Sequence, residues 1–287
     1  MKILVLVAGL VAALLVGAYL WSCAWKEKNL TPKAASDRSA WARVERAALE
    51  GGEGFEGTLS FLFGGDENDP GLIFVHGTPG SAEAWLDYLA GPLPGYRALA
   101  YDRPGFGETS PAVPLPSLAA QARVLSAFLE EKKGRLPILV GHSLGGPIIC
   151  RAAADFPDRV GGLVVISGSL DPALERTTWY QKVAGWPLIR NILPREMTNS
   201  VKELRPLKKE LEELEPLLAR ITCPVLIVHG DGDGLVPVAN AAYLEKRLVN
   251  AARVEVEILK GIGHLLIWKN QEVVKGALAR AVRMVEE

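Results

Sequence analysis

Short apolar runs alternate with segments of helical length from about residue 72 to the end of the chain. Six runs have the length and composition of buried strands: Leu72–Val75, Ala98–Tyr101, Ile138–Val140, Gly162–Ile166, Val225–Val228 and Val254–Leu259. Helix-length segments separate most of them: Ala82–Leu89, Leu118–Lys132, Leu144–Asp155, Ala239–Leu248 and Gln271–Val285. This alternation predicts an α/β fold, with a mostly parallel, doubly wound sheet that helices cover on both faces.

The pattern is weaker before residue 72. Ala40–Glu50 is alanine-rich and polar, which predicts a short helix that ends at Gly51 and Gly52. Phe55–Phe63 alternates enough to predict an edge strand or a hairpin. The glycines, aspartates and asparagine of Gly64–Pro70 then predict a turn.

The first residues differ in kind, because Ile3–Trp25 contains no charged residue. A helix of that length would cross a bilayer, and Tyr19, Trp21 and Trp25 would lie at its interface. We therefore expect an apolar N-terminal helix that associates the protein with a membrane through residues 3–25. Two alternatives stay open: a lipoprotein signal ending at Cys23, from whose usual pattern Trp21 departs, and a cleaved secretory signal. The flanking lysines only weakly favour a cytoplasmic catalytic domain.

Composition and charge narrow the class of protein. The sequence of 287 residues is 49% hydrophobic and 23% charged, which is typical of a globular protein rather than a disordered one. The net charge of −1, from interspersed charges, gives no indication of nucleic-acid binding. The three cysteines and four histidines lack metal-ligand spacing, so we expect no metal site. We divide the chain into a membrane segment (1–28), a tether with a short helix (29–52) and one main domain (53–287), and leave the oligomeric state open.

The motif with the clearest chemistry surrounds Ser143. The apolar run Ile138–Val140 leads directly into Gly-x-Ser-x-Gly, with Gly141 and Gly145 flanking the serine, and small residues then begin a predicted helix. A serine at a tight strand-to-helix turn needs neighbours without a β-carbon, because the chains crowd there. The sequence therefore predicts a nucleophile elbow with Ser143 at its tip.

An acid and a base are expected at the carboxyl ends of two later strands. Asp233 and Asp231 both follow Val225–Val228, and we favour Asp233 as the carboxylate that would orient a histidine. Calcium binding by this loop is less favoured, since no calcium-loop pattern of ligands follows. His264, in a glycine-flanked loop after the last strand, is the predicted general base.

Two further loops follow strands at the same predicted edge. His76–Gly80 comes directly after Leu72–Val75, and the backbone N–H of Thr78 is predicted to stabilise an oxyanion together with the N–H of Leu144. Loop shape matters more than side-chain identity for this role, and an ordinary turn is the alternative. Asp102–Ser110 is interpreted as a structural loop whose Asp and Arg satisfy nearby backbone groups.

The order Ser143, Asp233, His264 in this strand context resembles the α/β-hydrolase superfamily, over about residues 55–285. The resemblance rests on HGTPG, DRPGFGETS, GHSLGG, HGDGDGLVP and GIGH in sequence order. It implies a serine hydrolase without a cofactor, acting on a small-molecule ester. Hydrolysis of C–C bonds or thioesters, perhydrolysis, and a non-catalytic binding role stay as alternatives. Epoxide hydrolases and dehalogenases of this fold use an aspartate nucleophile, so Ser143 argues against both.

An insertion at about residues 170–222, hereafter the cap segment, interrupts the alternation. It contains Trp179 and Trp186, which we expect to line the substrate pocket, and a charged predicted helix at Val201–Leu218. An insertion at this point of the resembled fold implies a small helical cap over the site. Its aromatic content, beside a membrane segment, predicts a lipophilic acyl substrate. A pair of ordinary surface helices is the alternative.

Overall fold

The apolar runs form the centre of one sheet. The computed structural model describes residues 41–51, 54–175 and 193–287. Within these ranges eight strands lie in the order β1-β2-β4-β3-β5-β6-β7-β8. Their bounds are β1 Glu45–Glu50, β2 Thr58–Gly64, β3 Gly71–Val75, β4 Arg97–Tyr101, β5 Ile138–His142, β6 Gly162–Ile166, β7 Val225–Gly230 and β8 Val254–Leu259.

Strand directions confirm the expected fold class. β1 pairs antiparallel with β2, and β2 pairs antiparallel with β4. From β4 through β8 every neighbouring pair is parallel. The loops that follow β3, β5, β7 and β8 therefore leave the same edge of the sheet, where polar residues of open α/β sheets collect.

Helices cover both faces of the sheet. They are α1 Leu86–Leu89, α2 Leu118–Leu125, α3 Gly145–Asp155, α4 Arg195–Leu204, α5 Leu207–Leu214, α6 Ala239–Arg247, α7 Leu266–Lys269 and α8 Gln271–Glu286. Alternate strand residues contribute to two separate apolar clusters. On one face Ile73 and Leu139 pack with α2, α3 and α5. On the other face Phe74 and Val140 pack with Trp85 and α8.

The helix predicted for Ala40–Glu50 is wrong, because residues 45–50 form β1. Each residue from Glu45 to Glu50 has a partner in β2, and Arg46 additionally bonds Asp102 at 2.7 Å. Helix propensities differ by only tenths of a kcal/mol per residue, so strand pairing outweighs them here. β1 also takes the edge position, which leaves the strand predicted within Phe55–Phe63 between two neighbours.

Some predicted helices are shorter than expected, among them α1, which begins at Leu86 after a 3₁₀ turn at Ala82–Trp85. α2 ends at Leu125 and continues only as a 3₁₀ turn, Ser126–Phe128, rather than to Lys132. The helix predicted at Val201–Leu218 is divided between α4, α5 and a 3₁₀ segment, Glu215–Arg220. Pro206 lies between α4 and α5, and its missing N–H and its ring prevent one continuous helix.

Some sequence predictions fall on residues that the structure does not describe. The run Ile3–Trp25, with Cys23, and the cap tryptophans Trp179 and Trp186 lie outside the described ranges. Among the residues described, no helix combines the length and the apolar character needed to span a membrane.

Candidate active site

Ser143 lies at a strained turn between β5 and α3. Its backbone φ of +55° is in the left-handed region, where an ordinary side chain is strained by roughly 1–3 kcal/mol. A β-carbon added at Gly141 would overlap the Gly145 carbonyl, and one added at Gly145 would overlap Val75. The Ser143 N–H donates to Ile166 O at 3.0 Å, which fixes the turn against β6. Ser143 is partly exposed between buried neighbours, as a nucleophile must be.

Asp233 and His264 meet at the same sheet edge. The His264 Nδ1 lies 2.7 Å from Asp233 Oδ2, so Nδ1 carries the proton and Nε2 is left to accept one. The other carboxylate oxygen, Oδ1, accepts the N–H groups of Leu235 at 2.9 Å and Val236 at 2.8 Å. Burial alone would raise the pKa of Asp233, but the nearby His229 and the hydrogen bond with His264 hold it below its ordinary value. The group is therefore a carboxylate at neutral pH.

The competing aspartate, Asp231, has a different environment. It is exposed, and its Oδ1 accepts the N–H of Gly261 at 2.6 Å. That bond joins the loop after β7 to the loop that carries His264. Asp231 thus supports the loop, whereas Asp233 contacts the imidazole.

Two buried histidines surround the Asp233–His264 pair. His142 Nε2 donates to the backbone carbonyl of His264 at 3.0 Å, and burial, with His264 nearby, lowers the pKa of His142 to about 3. His229 Nε2 lies 3.0 Å from Val236 O and 3.6 Å from Asp233 Oδ2. A neutral His142 fixes the His264 backbone without adding charge to the site. Neither role was expected from the sequence.

The loop after β3 lies directly against Ser143. A β-carbon added at Gly77 would be 2.9 Å from Ser143 Cβ and 3.4 Å from its Oγ. The N–H groups of Thr78 and Leu144 donate to no backbone acceptor in the described part of the chain. Both amides are thus available beside the serine. Among the described residues, no hydrogen bond joins Ser143 Oγ to His264. Catalytic hydrogen bonds of this kind are often long before substrate binds.

Arg103 binds the backbone of this loop through hydrogen bonds. The residue is fully buried, and its guanidinium donates to the carbonyls of His76 at 3.0 Å and Gly77 at 2.8 Å. The Arg103 N–H also donates to His76 Nε2 at 3.1 Å. Burial first, and then the Arg103 charge, keep the pKa of His76 well below its ordinary value, so this imidazole is neutral. Arg103 thus satisfies nearby backbone groups, which is the structural role predicted for the Asp102–Ser110 loop. It also contacts a residue that this prediction did not include, Glu203.

Glu203 and Gln121 are the site residues that the sequence did not indicate. Glu203, on α4, is buried and lies 2.6 Å from Arg103 Nη1. Gln121, on α2, accepts from Arg103 at 2.7 Å and donates to Glu203 at 3.2 Å. Glu203 follows Arg103 by one hundred residues. A buried carboxylate within a charged helix carries no local sequence signal, so only the fold reveals it.

Comparisons with known proteins agree with this architecture. Residues 70–204 match the family model for the alpha/beta hydrolase fold. A putative lipase from Acinetobacter baumannii has a similar structure, with a TM-score of 0.64 and 22% identity over 86% of this chain and 93% of that one. At that identity the likeness establishes the fold alone.

Curated relatives of this chain include two that match it over different lengths. A 2-hydroxy-6-oxononadienedioate/2-hydroxy-6-oxononatrienedioate hydrolase from Paraburkholderia phymatum is 27% identical over 264 residues, covering 75% of this chain and 91% of that protein. The acetyltransferase component of the acetoin cleaving system from Cupriavidus necator is 34% identical over 96 residues. That match covers 33% of this chain and only 26% of the relative, so the chain spans about a quarter of its length.

Proposed function

The chain belongs to the α/β-hydrolase superfamily, and we propose that it is a serine hydrolase that cleaves carboxylic esters through an acyl-enzyme on Ser143. The observation that carries the proposal is the 2.7 Å contact between Asp233 and His264 at the sheet edge where Ser143 forms its strained turn. A carboxylate, an imidazole and a serine in these positions are the parts that acyl transfer requires.

In the proposed reaction, His264 Nε2 takes the Ser143 hydroxyl proton as Oγ attacks the ester carbonyl carbon. The carbonyl oxygen becomes negatively charged, and the N–H groups of Thr78 and Leu144 bind it. His264 then gives its proton to the departing alcohol as the C–O bond breaks, which leaves the acyl group on Ser143. Water attacks the acyl-enzyme with His264 again as the base, and the free acid leaves.

Hydrolysis of a C–C bond is the second candidate. It is favoured by the relative from P. phymatum, whose similarity extends over three quarters of this chain. Against it, the substrates named for that relative are dicarboxylates, which need cationic partners. The Arg103 guanidinium beside the oxyanion loop already donates to protein acceptors, Glu203 among them, and offers no free N–H to a carboxylate.

A panel of substrates separates the two candidates. The purified protein is offered p-nitrophenyl esters, a thioester and 2-hydroxy-6-oxononadienedioate, and kcat/KM is measured for each. The proposal predicts hydrolysis of the esters, with a burst of p-nitrophenol that reports the acyl-enzyme. A much higher kcat/KM for the dienedioate than for any ester would refute ester hydrolysis as the main activity and support C–C hydrolysis.

The acyl group is proposed to be lipophilic. Support comes from the aromatic residues Trp179 and Trp186, two positions of the cap segment that lie outside the described residues. We expect kcat/KM to rise from p-nitrophenyl acetate to long-chain esters. A strict preference for acetate would refute this part of the proposal.

Membrane association is also proposed, on the sequence of Ile3–Trp25 alone. We expect the full chain to remain with membranes after extraction at alkaline pH. The intact mass of the extracted protein then distinguishes an uncleaved anchor from a lipid-modified Cys23 or a cleaved signal. Recovery of the full-length, unmodified chain in the soluble fraction would contradict the proposal.

A further inference from the structure

We propose that helix α4 of the cap segment fixes the position of the oxyanion loop through Glu203 and Ser200, so that these two are positioning residues for turnover. The oxyanion loop is here His76–Gly80. The inference rests on the proposed function. Beyond that function, we infer that α4 affects the stabilisation of the transition state and not only the binding of the acyl group.

The first connection runs through Arg103. Its guanidinium has five N–H donors, and each has an acceptor: Nε bonds His76 O, Nη1 bonds Gln121 and Glu203, and Nη2 bonds Gly77 O and Glu203. Two acceptors are therefore carbonyls of the oxyanion loop, and two bonds go to the α4 carboxylate. The planar fork of an arginine fixes the direction of all five bonds together.

Glu203 is the charged partner that makes this arrangement possible. Arg103 and Glu203 are both removed from solvent, and their closest atoms are 2.6 Å apart. A buried guanidinium without a carboxylate would turn toward other acceptors or admit water. Either response would withdraw its Nε and Nη2 from the loop carbonyls. The position of Glu203 on α4 thus determines how Arg103 holds the loop.

The second connection is direct. The Thr78 hydroxyl donates to Ser200 Oγ at 2.9 Å, and Ser200 Oγ donates to the carbonyl of Glu196 within α4. Thr78 is the residue whose N–H is proposed to bind the oxyanion. Asn199 adds a bond from α4 to Gly105 O at 2.8 Å, which fastens the helix to the loop after β4.

The consequence for catalysis follows from how closely the loop approaches the serine. Gly77, held by Arg103, has so little space that a β-carbon would come within 2.9 Å of Ser143 Cβ. Removal of one oxyanion donor lowers kcat by roughly 10²–10³. A shift of the loop that weakens, without removing, the Thr78 donor should therefore lower kcat by at least about tenfold.

The test compares three variants with the wild type by kcat and KM on p-nitrophenyl acetate and a long-chain ester. Glu203→Gln removes the charge, Glu203→Asp restores it on a shorter stem, and Glu213→Gln makes the same chemical change at an exposed ion pair on the next helix, α5. We expect Glu203→Gln to lower kcat at least about tenfold and equally for both esters, with KM little changed. Glu203→Asp should recover part of this loss, and Glu213→Gln should match the wild type.

A trifluoromethyl ketone gives an independent readout, because its serine adduct carries an oxyanion. Its affinity should fall in Glu203→Gln by the same factor as kcat/KM. Ser200→Ala, which deletes one hydroxyl from α4, should show a smaller effect of the same kind. Should Glu203→Gln fail to fold, Ser200→Ala carries the test.

Three results would overturn the inference. They are a folded Glu203→Gln with wild-type kcat, a loss confined to the long-chain ester, and a Ser200→Ala variant with unchanged kcat and ketone affinity. The second result would mean that α4 acts only on acyl binding. A wild type that cleaves no substrate of the panel would refute the proposed function, and this inference with it.

Discussion

Replacement of Asp233 by asparagine tests the proposed acid most sharply. Asparagine keeps an oxygen for the Leu235 and Val236 amides that Oδ1 now accepts, so the loop should retain its shape. The NH₂ group would replace Oδ2, which lies 2.7 Å from His264 Nδ1. Two donors cannot share that contact, so His264 would move its proton to Nε2. In that tautomer the imidazole cannot accept the Ser143 proton.

The expected loss follows from this change of tautomer. The same substitution in a serine-protease triad lowers kcat by about 10⁴, and we expect a loss of that order here. It corresponds to about 5.4 kcal/mol in the barrier, at about 1.36 kcal/mol for each factor of ten. The assay is kcat on a p-nitrophenyl ester at neutral pH, with circular dichroism to verify folding.

Asp231→Asn is the matched control, since it makes the same change two residues away. Asp231 is exposed and bonds the Gly261 N–H, which an asparagine oxygen can still accept. We expect kcat to stay within about threefold of wild type, as surface substitutions usually change free energies by no more than about 0.5 kcal/mol. Equal losses in both variants, or a folded Asp233→Asn with at least a tenth of wild-type kcat, would refute the assignment.

Two further predictions concern the loop geometry and acid stability. Gly77→Ala would place a β-carbon 2.9 Å from Ser143 Cβ, so kcat should fall by roughly 10²–10³. The control is Gly91→Ala, whose β-carbon would have no atom within 4 Å and which should keep wild-type kcat. Equal activities of the two variants would contradict the site geometry. The pKa of Asp233 is lower in the folded chain than its ordinary 3.8, so this carboxylate stabilises the fold fully above that value and less as the pH falls toward the folded-state pKa. In urea unfolding, the stability of wild type relative to Asp233→Asn should therefore shrink as the pH is lowered from about 6 to 3, and a difference that is constant or grows would contradict the pKa direction.

The parallel part of the fold was predictable because its signals are local. Buried strands such as Gly162–Ile166 are apolar throughout, and turn residues bound them. β1 was not predictable in this way, since its Ala, Glu, Arg and Leu residues favour a helix in isolation. Only pairing with β2, which depends on the rest of the sheet, makes residues 45–50 a strand. The helix predicted across Pro206 is the opposite case, because the proline itself is a local signal against a continuous helix.

The residues of the candidate site also differ in whether a local sequence signal marks them. Ser143, Asp233 and His264 each follow a recognisable strand, and the structure brings Asp233 and His264 together. Glu203 has no such marker, because its importance comes from a buried arginine one hundred residues earlier in the chain. His142 likewise acts through a backbone carbonyl that is distant in sequence. Tertiary contacts of this kind depend on the fold rather than on residue type.

The most direct test of the central claim is covalent labelling of the nucleophile. Wild type and Ser143→Ala are incubated with a fluorophosphonate probe, and the labelled peptide is identified by mass spectrometry. Both variants should unfold at similar temperatures, so that labelling reports chemistry rather than folding. The account predicts one phosphonyl adduct, on Ser143, and no labelling of Ser143→Ala. Absence of labelling in active wild type, or an adduct that persists on another residue in Ser143→Ala, would contradict it.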